Sequence, residues 1–219
     1  MKKKPHRFAP PGTRTPLWRD IAGRFSNDRE CLASFLALET AEILEGVKPG
    51  NLINVTSRRH PCDRNLYALW QAYGEELVEA GGLSVKVMRE RNDSLLLFIY
   101  DSAALSRLLA ENRVRTMLNR AGYWQITDLD KILAELKERI GGSSFPHEVG
   151  IFLGYPLKDV AAFMGWALIP FTCQGPWKIY GDPRRSLETA ASHHECRCRM
   201  AWRVAGGDNP LDCLRRGAR

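Results

Sequence analysis

His147 and Glu148 stand in the run Phe145-Pro-His-Glu-Val-Gly-Ile-Phe-Leu-Gly-Tyr-Pro156, and a second run, Trp177-Lys-Ile-Tyr-Gly-Asp182, follows it. Glycines, prolines, a histidine, acids and aromatics crowd together here in a pattern that packing alone does not demand. If Pro146 opens a short helix, His147 and Glu148 fall in its first turn, where backbone N–H groups are free and the helix dipole favours anions. A histidine there can act as a neutral donor or as a base. Lys178 and Tyr180 are two apart, so on a strand they face the same side. His147, Glu148, Lys178 and Tyr180 are therefore the candidates for catalysis on an anionic substrate. The wider candidate binding set is His147, Gly150, Gly154, Tyr155, Trp177, Lys178, Tyr180 and Asp182. The same residues also allow a structural account, in which Glu148 complements the dipole, His147 bonds a neighbouring loop, Trp177 anchors the core and Lys178 is solvated.

A second crowded stretch is Arg58-Arg59-His60-Pro61-Cys62-Asp63-Arg64-Asn65. A cysteine just before a helix and among arginines is in surroundings that favour thiolate. Cys62 is thus a candidate nucleophile with His60, or a redox-sensing thiol. A phosphatase loop is excluded, because Ala68 stands where that loop needs arginine. A loop with a capping Asp63 and an incidental cysteine accounts for the stretch equally.

The third is His193-His194-Glu195-Cys196-Arg197-Cys198. On one helix Cys196 and Cys198 point to different sides. His194 with Cys198, or His193 with Cys196, can share an ion, but each pair supplies two ligands where structural zinc takes four. The expectation is no metal site, with His194 and Cys198 as the weak candidates. Phosphate-loop, dinucleotide, nucleophile-elbow and zincin motifs do not occur, and the sequence identifies no cofactor.

Three segments carry a resemblance. The run Phe145–Val160 reads Phe-Pro-His-Glu-Val-Gly-Ile-Phe-Leu-Gly-Tyr-Pro-Leu-Lys-Asp-Val, Gly175–Asp182 reads Gly-Pro-Trp-Lys-Ile-Tyr-Gly-Asp, and Lys48-Pro-Gly-Asn-Leu52 precedes them. Together with the leucine-rich segment ending in Tyr100, they resemble the bacterial domain-of-unknown-function family 3793, found mostly in anaerobes. The resemblance covers about residues 28–205. It implies a soluble bacterial protein and assigns no catalytic residue.

The elements that must position these residues follow from periodicity and caps. Asn27 with Glu30 three residues on is a capping-box spacing, and Leu32, Phe35, Leu36, Ile43 and Val47 recur at helical intervals until Lys48-Pro49-Gly50. A short strand is expected near 52–55, then a helix capped by Asp63 that buries Leu66, Leu69, Trp70, Tyr73 and Leu77. Residues 83–100 read as an antiparallel hairpin turning at Arg91-Asn92-Asp93. Three helices follow, the third capped by Thr127. Short helices are expected over 146–153 and from Pro156 to Met164, another strand near 177–180, and a last helix from Asp182-Pro183 to about Val204. The fold class is α+β: a small, mainly antiparallel sheet covered by several helices.

The chain has 219 residues, 44% hydrophobic and 26% charged, the composition of a globular protein. The expected organisation is a disordered basic arm over 1–25, one α+β domain over 26–205 and a flexible tail over 206–219. The net charge of +7 sits at the ends: residues 1–25 carry seven Lys or Arg against one Asp, and residues 183–219 carry eight Arg against four acids. Basic tails touch phosphate non-specifically, so nucleic-acid binding through the termini is a possible reading, though not the preferred one. The apolar runs are too short for a membrane span and no secretory signal opens the chain. Cytoplasmic residence is therefore expected, with six scattered cysteines and no disulfide framework. The favoured reading is an accessory protein that binds a small ligand or a protein partner around 145–182.

Overall fold

A computed structural model describes residues 14–215. Its central feature is a three-stranded antiparallel sheet. β1 (Gly50–Thr56) and β2 (Ser84–Arg91) flank β3 (Ser94–Tyr100), in the order β1-β3-β2. β3 reads Ser-Leu-Leu-Leu-Phe-Ile-Tyr with no alternation, because both of its faces are buried. Leu95, Leu97 and Ile99 point into one core, while Phe98 and Tyr100 point into another.

The first core lies against α2 (Asp28–Glu39), α4 (Leu66–Ala80), the end of α10 (Arg184–Ala205) and α11 (Pro210–Cys213). Asn27 caps α2, its side-chain oxygen accepting from the N–H groups of Arg29 and Glu30. The expected first helix breaks at Thr40, and α3 (Ala41–Leu44) continues it as a separate turn. The second core is closed by α5 (Ser102–Ala110), α6 (Asn112–Arg120), α7 (Leu129–Gly141), α8 (Val149–Phe152) and α9 (Leu157–Phe163). The architecture is α+β, as the periodicity implied.

Several local expectations are corrected. Asp63 does not cap α4; it takes φ +61°, and Asn65 caps by accepting from the Ala68 N–H. The reason is a tight loop closed by an Arg59–Asn65 bridge, which places Asn65 at the helix start. Asp128, not Thr127, caps α7. The strand at 177–180 does not join the main sheet. As β5 (Lys178–Tyr180) it pairs with β4 (Phe171–Gln174), which the sequence reading missed. Part of the expected arm and tail is structured. α1 (Trp18–Ile21) buries Trp18 and Ile21, and α11 buries Cys213 with Leu214 beside it. Each of these turns has too few apolar residues to display a period. The arm's first thirteen residues and the last four of the tail lie outside the described residues.

Candidate functional site

The 145–160 run forms a corner. α8 ends at Phe152 with Leu153 as its C-cap, Gly154 turns the chain with φ +72°, and α9 begins after Pro156. Gly154 has two reasons to be glycine: its left-handed backbone, and Pro49 Cδ at 2.7 Å from where a Cβ would stand. Gly150 is crowded too, since a Cβ there would meet Val160 Cγ2 at 2.9 Å.

The corner is fastened to the β4–β5 hairpin by Asp159. Its buried carboxylate accepts from Trp177 Nε1 at 2.9 Å, Ser186 Oγ at 2.6 Å, the Tyr180 N–H at 3.0 Å and Lys158 Nζ at 2.8 Å. Burial pushes this carboxyl up, but the bonds from Lys158, Ser186, Tyr180 and Trp177 win and hold it below the ordinary range. Trp177 in turn stacks on Tyr155, ring centroids 4.5 Å apart.

The catalytic candidates do not share one environment. The Glu148 carboxylate is buried, accepting from Tyr123 Oη at 3.3 Å and Arg139 Nη1 at 3.4 Å. Arg139 also lies over the Tyr123 ring and donates to the Ala121 carbonyl. His147, the neighbouring residue, is exposed, with its ring edge-on to Phe163 at 4.8 Å. Lys178 joins it there, Nζ 5.4 Å from the centre of the same ring. Tyr180 packs edge-on against Phe171 at 5.9 Å. Asp182 is exposed and is held at about pKa 2 by hydrogen bonds from the Arg184 side chain and N–H. The structure thus brings His147 and Lys178 together on Phe163, and separately sets Tyr180 against Phe171. It sends Glu148, Gly150, Gly154, Tyr155 and Trp177 inward.

Beneath the Tyr155–Trp177 stack lies a group of charges that sequence reasoning did not assemble. Lys48 Nζ donates to Asn51 Oδ1 at 2.9 Å, and Asn51 Nδ2 donates to the Glu39 carbonyl. Arg197 Nε donates to Glu42 Oε1 at 2.6 Å. Lys48 also sits 5.8 Å from the centre of the Tyr155 ring, and the His193 ring is 6.1 Å from that of Trp177. Glu42, Lys48 and His193 are all buried. Glu42 Oε2 and His193 Nε2 have no hydrogen-bond partner among the described residues. Burial lowers Lys48 to about 8 and depresses His193, the Lys48 charge adding to the second effect. Burial raises Glu39, against the pull of Arg197. One sign was legible: Glu42 interrupts the apolar run Ala41-Glu-Ile-Leu44. Its partner Arg197 is far along the chain and left no local trace.

The remaining candidates lie elsewhere. His194 Nε2 and Cys198 Sγ approach to 3.4 Å on the surface of α10, and Thr15 Oγ1 reaches the same sulfur at 3.3 Å. Among the described residues no three His, Cys, Asp or Glu side chains gather as metal ligands. No helix there is long and apolar enough to cross a membrane. Cys62 lies half-buried against the first core, and the His60 ring rests edge-on against Trp18 at 4.9 Å.

Residues 36–214 match the profile of a family described as a protein of unknown function, DUF3793. No curated protein and no solved structure matches the chain.

Proposed function

The chain belongs to the DUF3793 family of proteins of unknown function, and from that premise we propose that it is a binding protein whose partner docks on the outer face of 145–182. The observation that carries this reading is the setting of Phe163. This side chain is 41% exposed, and its ring is flanked by His147 and Lys178. Phe171, beside Tyr180 on the hairpin, is a second exposed aromatic side chain. Phe145 and Leu168 are further exposed apolar side chains in the same stretch of chain. Exposed aromatic side chains beside cations favour a macromolecular surface over an enclosed small-molecule site. The complementary partner is a protein that presents apolar side chains next to carboxylates.

The catalytic alternative with His147, Glu148, Lys178 and Tyr180 has less support, because Glu148 is committed to Tyr123 and Arg139. Binding of nucleic acid through the basic termini rests on charge alone.

Site-specific photocrosslinking tests the proposal. p-Benzoylphenylalanine placed at Phe163 or Phe171 is expected to give a discrete cross-linked protein in the native cells. The same probe at Glu75, exposed on α4, is expected to give none. Lys178→Glu should reduce the cross-link at position 163 by about tenfold, the scale of a charge-assisted contact. Cross-links of equal intensity at all three positions, or none at 163 and 171, would overturn the reading.

A further inference from the structure

The helices that close the second core also form a pocket of about 200 Å³, lined by residues between 106 and 132. Helical spacing builds its walls. Ser106, Leu109 and Ala110 share one face of α5, and Arg115, Leu118 and Asn119 share one face of α6. Glu111, extended between the two helices, turns these faces towards the same space. Leu129 and Ile132, one turn apart on α7, complete the wall. Leu109, Leu118, Tyr123 and Ile132 are buried and make an apolar floor. The Tyr123 hydroxyl is bonded to Glu148, so this residue offers the pocket its ring.

The rim is polar. Arg115 is exposed, and among the described residues that line the pocket it alone carries charge. The side chains of Arg115, Asn119, Gln125 and Thr127 have no hydrogen-bond or ion-pair partner among the described residues. Gln125 holds a left-handed backbone at φ +55°, a conformation that disfavours a residue with a Cβ. Asp63, which shares that conformation, pairs with Arg59. Gln125 gains no such bond within the described chain. Its turn leaves Trp124 exposed while Tyr123 and Ile126 pack into the second core. Asp128, next to Thr127, does not line the pocket and is committed to the Lys131 N–H as the cap of α7.

We propose that this pocket binds a small aromatic monocarboxylate, its ring on the apolar floor and its carboxylate on Arg115. Size sets the body of the ligand. An apolar cavity of about 150 Å³ holds benzene, so 200 Å³ takes a benzene ring with one small substituent. It falls short of the roughly 300–1,000 Å³ that drug-sized ligands occupy. Charge sets the substituent. A guanidinium matches a carboxylate through two parallel hydrogen bonds, and one cation calls for one anionic group. The Asn119 and Gln125 amides and the Thr127 hydroxyl supply further donors at the same rim. Binding is non-covalent and uses no residue of 145–182, so it stands or falls separately from the docking face around Phe163.

The test titrates the full-length, nitrogen-15-labelled protein with benzoate, with its neutral isostere benzamide and with inorganic phosphate, following backbone amide shifts. Benzoate is expected to bind with a Kd on the order of 0.1–1 mM, the range open to so small a ligand. Its saturable shifts should centre on Leu109, Leu118, Gln125 and Ile132. Benzamide should bind about tenfold more weakly, and phosphate, which has no apolar body, should leave the floor residues unmoved. Arg115→Gln should weaken benzoate about tenfold and leave benzamide as it was. Ser106→Phe, which fills the pocket from an exposed position, should abolish both. If either variant does not fold, the wild-type shift map decides the question. Benzoate shifts scattered over the basic surface, equal affinity for benzoate and benzamide, or no saturable shift at the floor would overturn the proposal.

Discussion

The Asp159 carboxylate is buried beneath Trp177 and receives four hydrogen bonds, from Trp177, Ser186, Tyr180 and Lys158. Three of these donors lie beyond α9, so one side chain fixes β5 and the start of α10 against the corner. Removing it leaves the indole N–H and the Ser186 hydroxyl buried without an acceptor and strips Lys158 of its counter-ion. Asp159→Ala should therefore cost about 3–5 kcal/mol of unfolding free energy, the scale of a broken buried ion pair. Denaturant titration followed by tryptophan emission measures it. The sign with pH follows from the depressed folded value. The stabilisation is complete above the ordinary carboxyl value of 3.8 and is lost as pH falls through the lower folded value. An alanine variant within 1 kcal/mol of wild type would mean that these bonds do not carry the corner. Which residues crowd the corner was legible from their types, and so was the glycine turn. That Asp159, and not His147, holds it together was not, because its donors come from separate segments of the chain.

The corner between α8 and α9 is an element whose shape depends on one backbone conformation. Gly154 closes α8 at φ +72°, and its Cα faces the Pro49 ring of the segment that leads into β1. A methyl group there meets both obstacles. Gly154→Ala should cost about 1–2 kcal/mol for the left-handed backbone alone, with the Pro49 contact adding to it. The more telling readout is local. Tyr155 follows Gly154 directly, so the Tyr155–Trp177 stack should loosen, and tryptophan emission should shift red in the folded state. Unchanged emission together with unchanged stability would show that the corner tolerates a side chain. The helix stop at Gly154 was readable because a left-handed C-terminal glycine is a local signal. The pairing of β5 with β4 was not. Phe171–Gln174 alternates apolar and polar over only four residues, too short a run to announce a strand, and three of the four are exposed. The hairpin owes its position to Asp159 and to Lys158, which donates to the Tyr180 carbonyl at 2.6 Å.

Across the chain, residues near 40–50, 155–177 and 193–197 converge on one largely buried set of charges, and that convergence makes stability rise with pH, as Asp159 does, but in an alkaline window. Burial places Lys48 at about 8 in the folded protein, against an ordinary 10.5. Below about pH 8 both folded and unfolded chains carry the proton, and the folded state bears the full cost of a buried ammonium. Between about 8 and 10.5 the unfolded chain holds the proton and the folded one does not. Raising pH through this window therefore stabilises the fold, by up to about 3 kcal/mol for this shift. Glu39 and Glu42 temper the effect by attracting the charge, while Arg197 and burial strengthen it. Other groups titrate in the same window, so the decisive quantity is a difference. Lys48→Met keeps the length of the side chain and removes the proton. Unfolding free energies of wild type and variant, measured from pH 7 to pH 10.5, should converge or cross as pH rises, with wild type gaining relative to the variant. Parallel profiles would show that Lys48 keeps its ordinary titration and that water reaches it. The two-sided sheet, with β3 buried on both faces, was legible in the unbroken apolar run Leu95–Tyr100. The charge group was not, because Lys48 and Arg197 belong to opposite ends of the chain and meet only when the last long helix packs across α2 and α3.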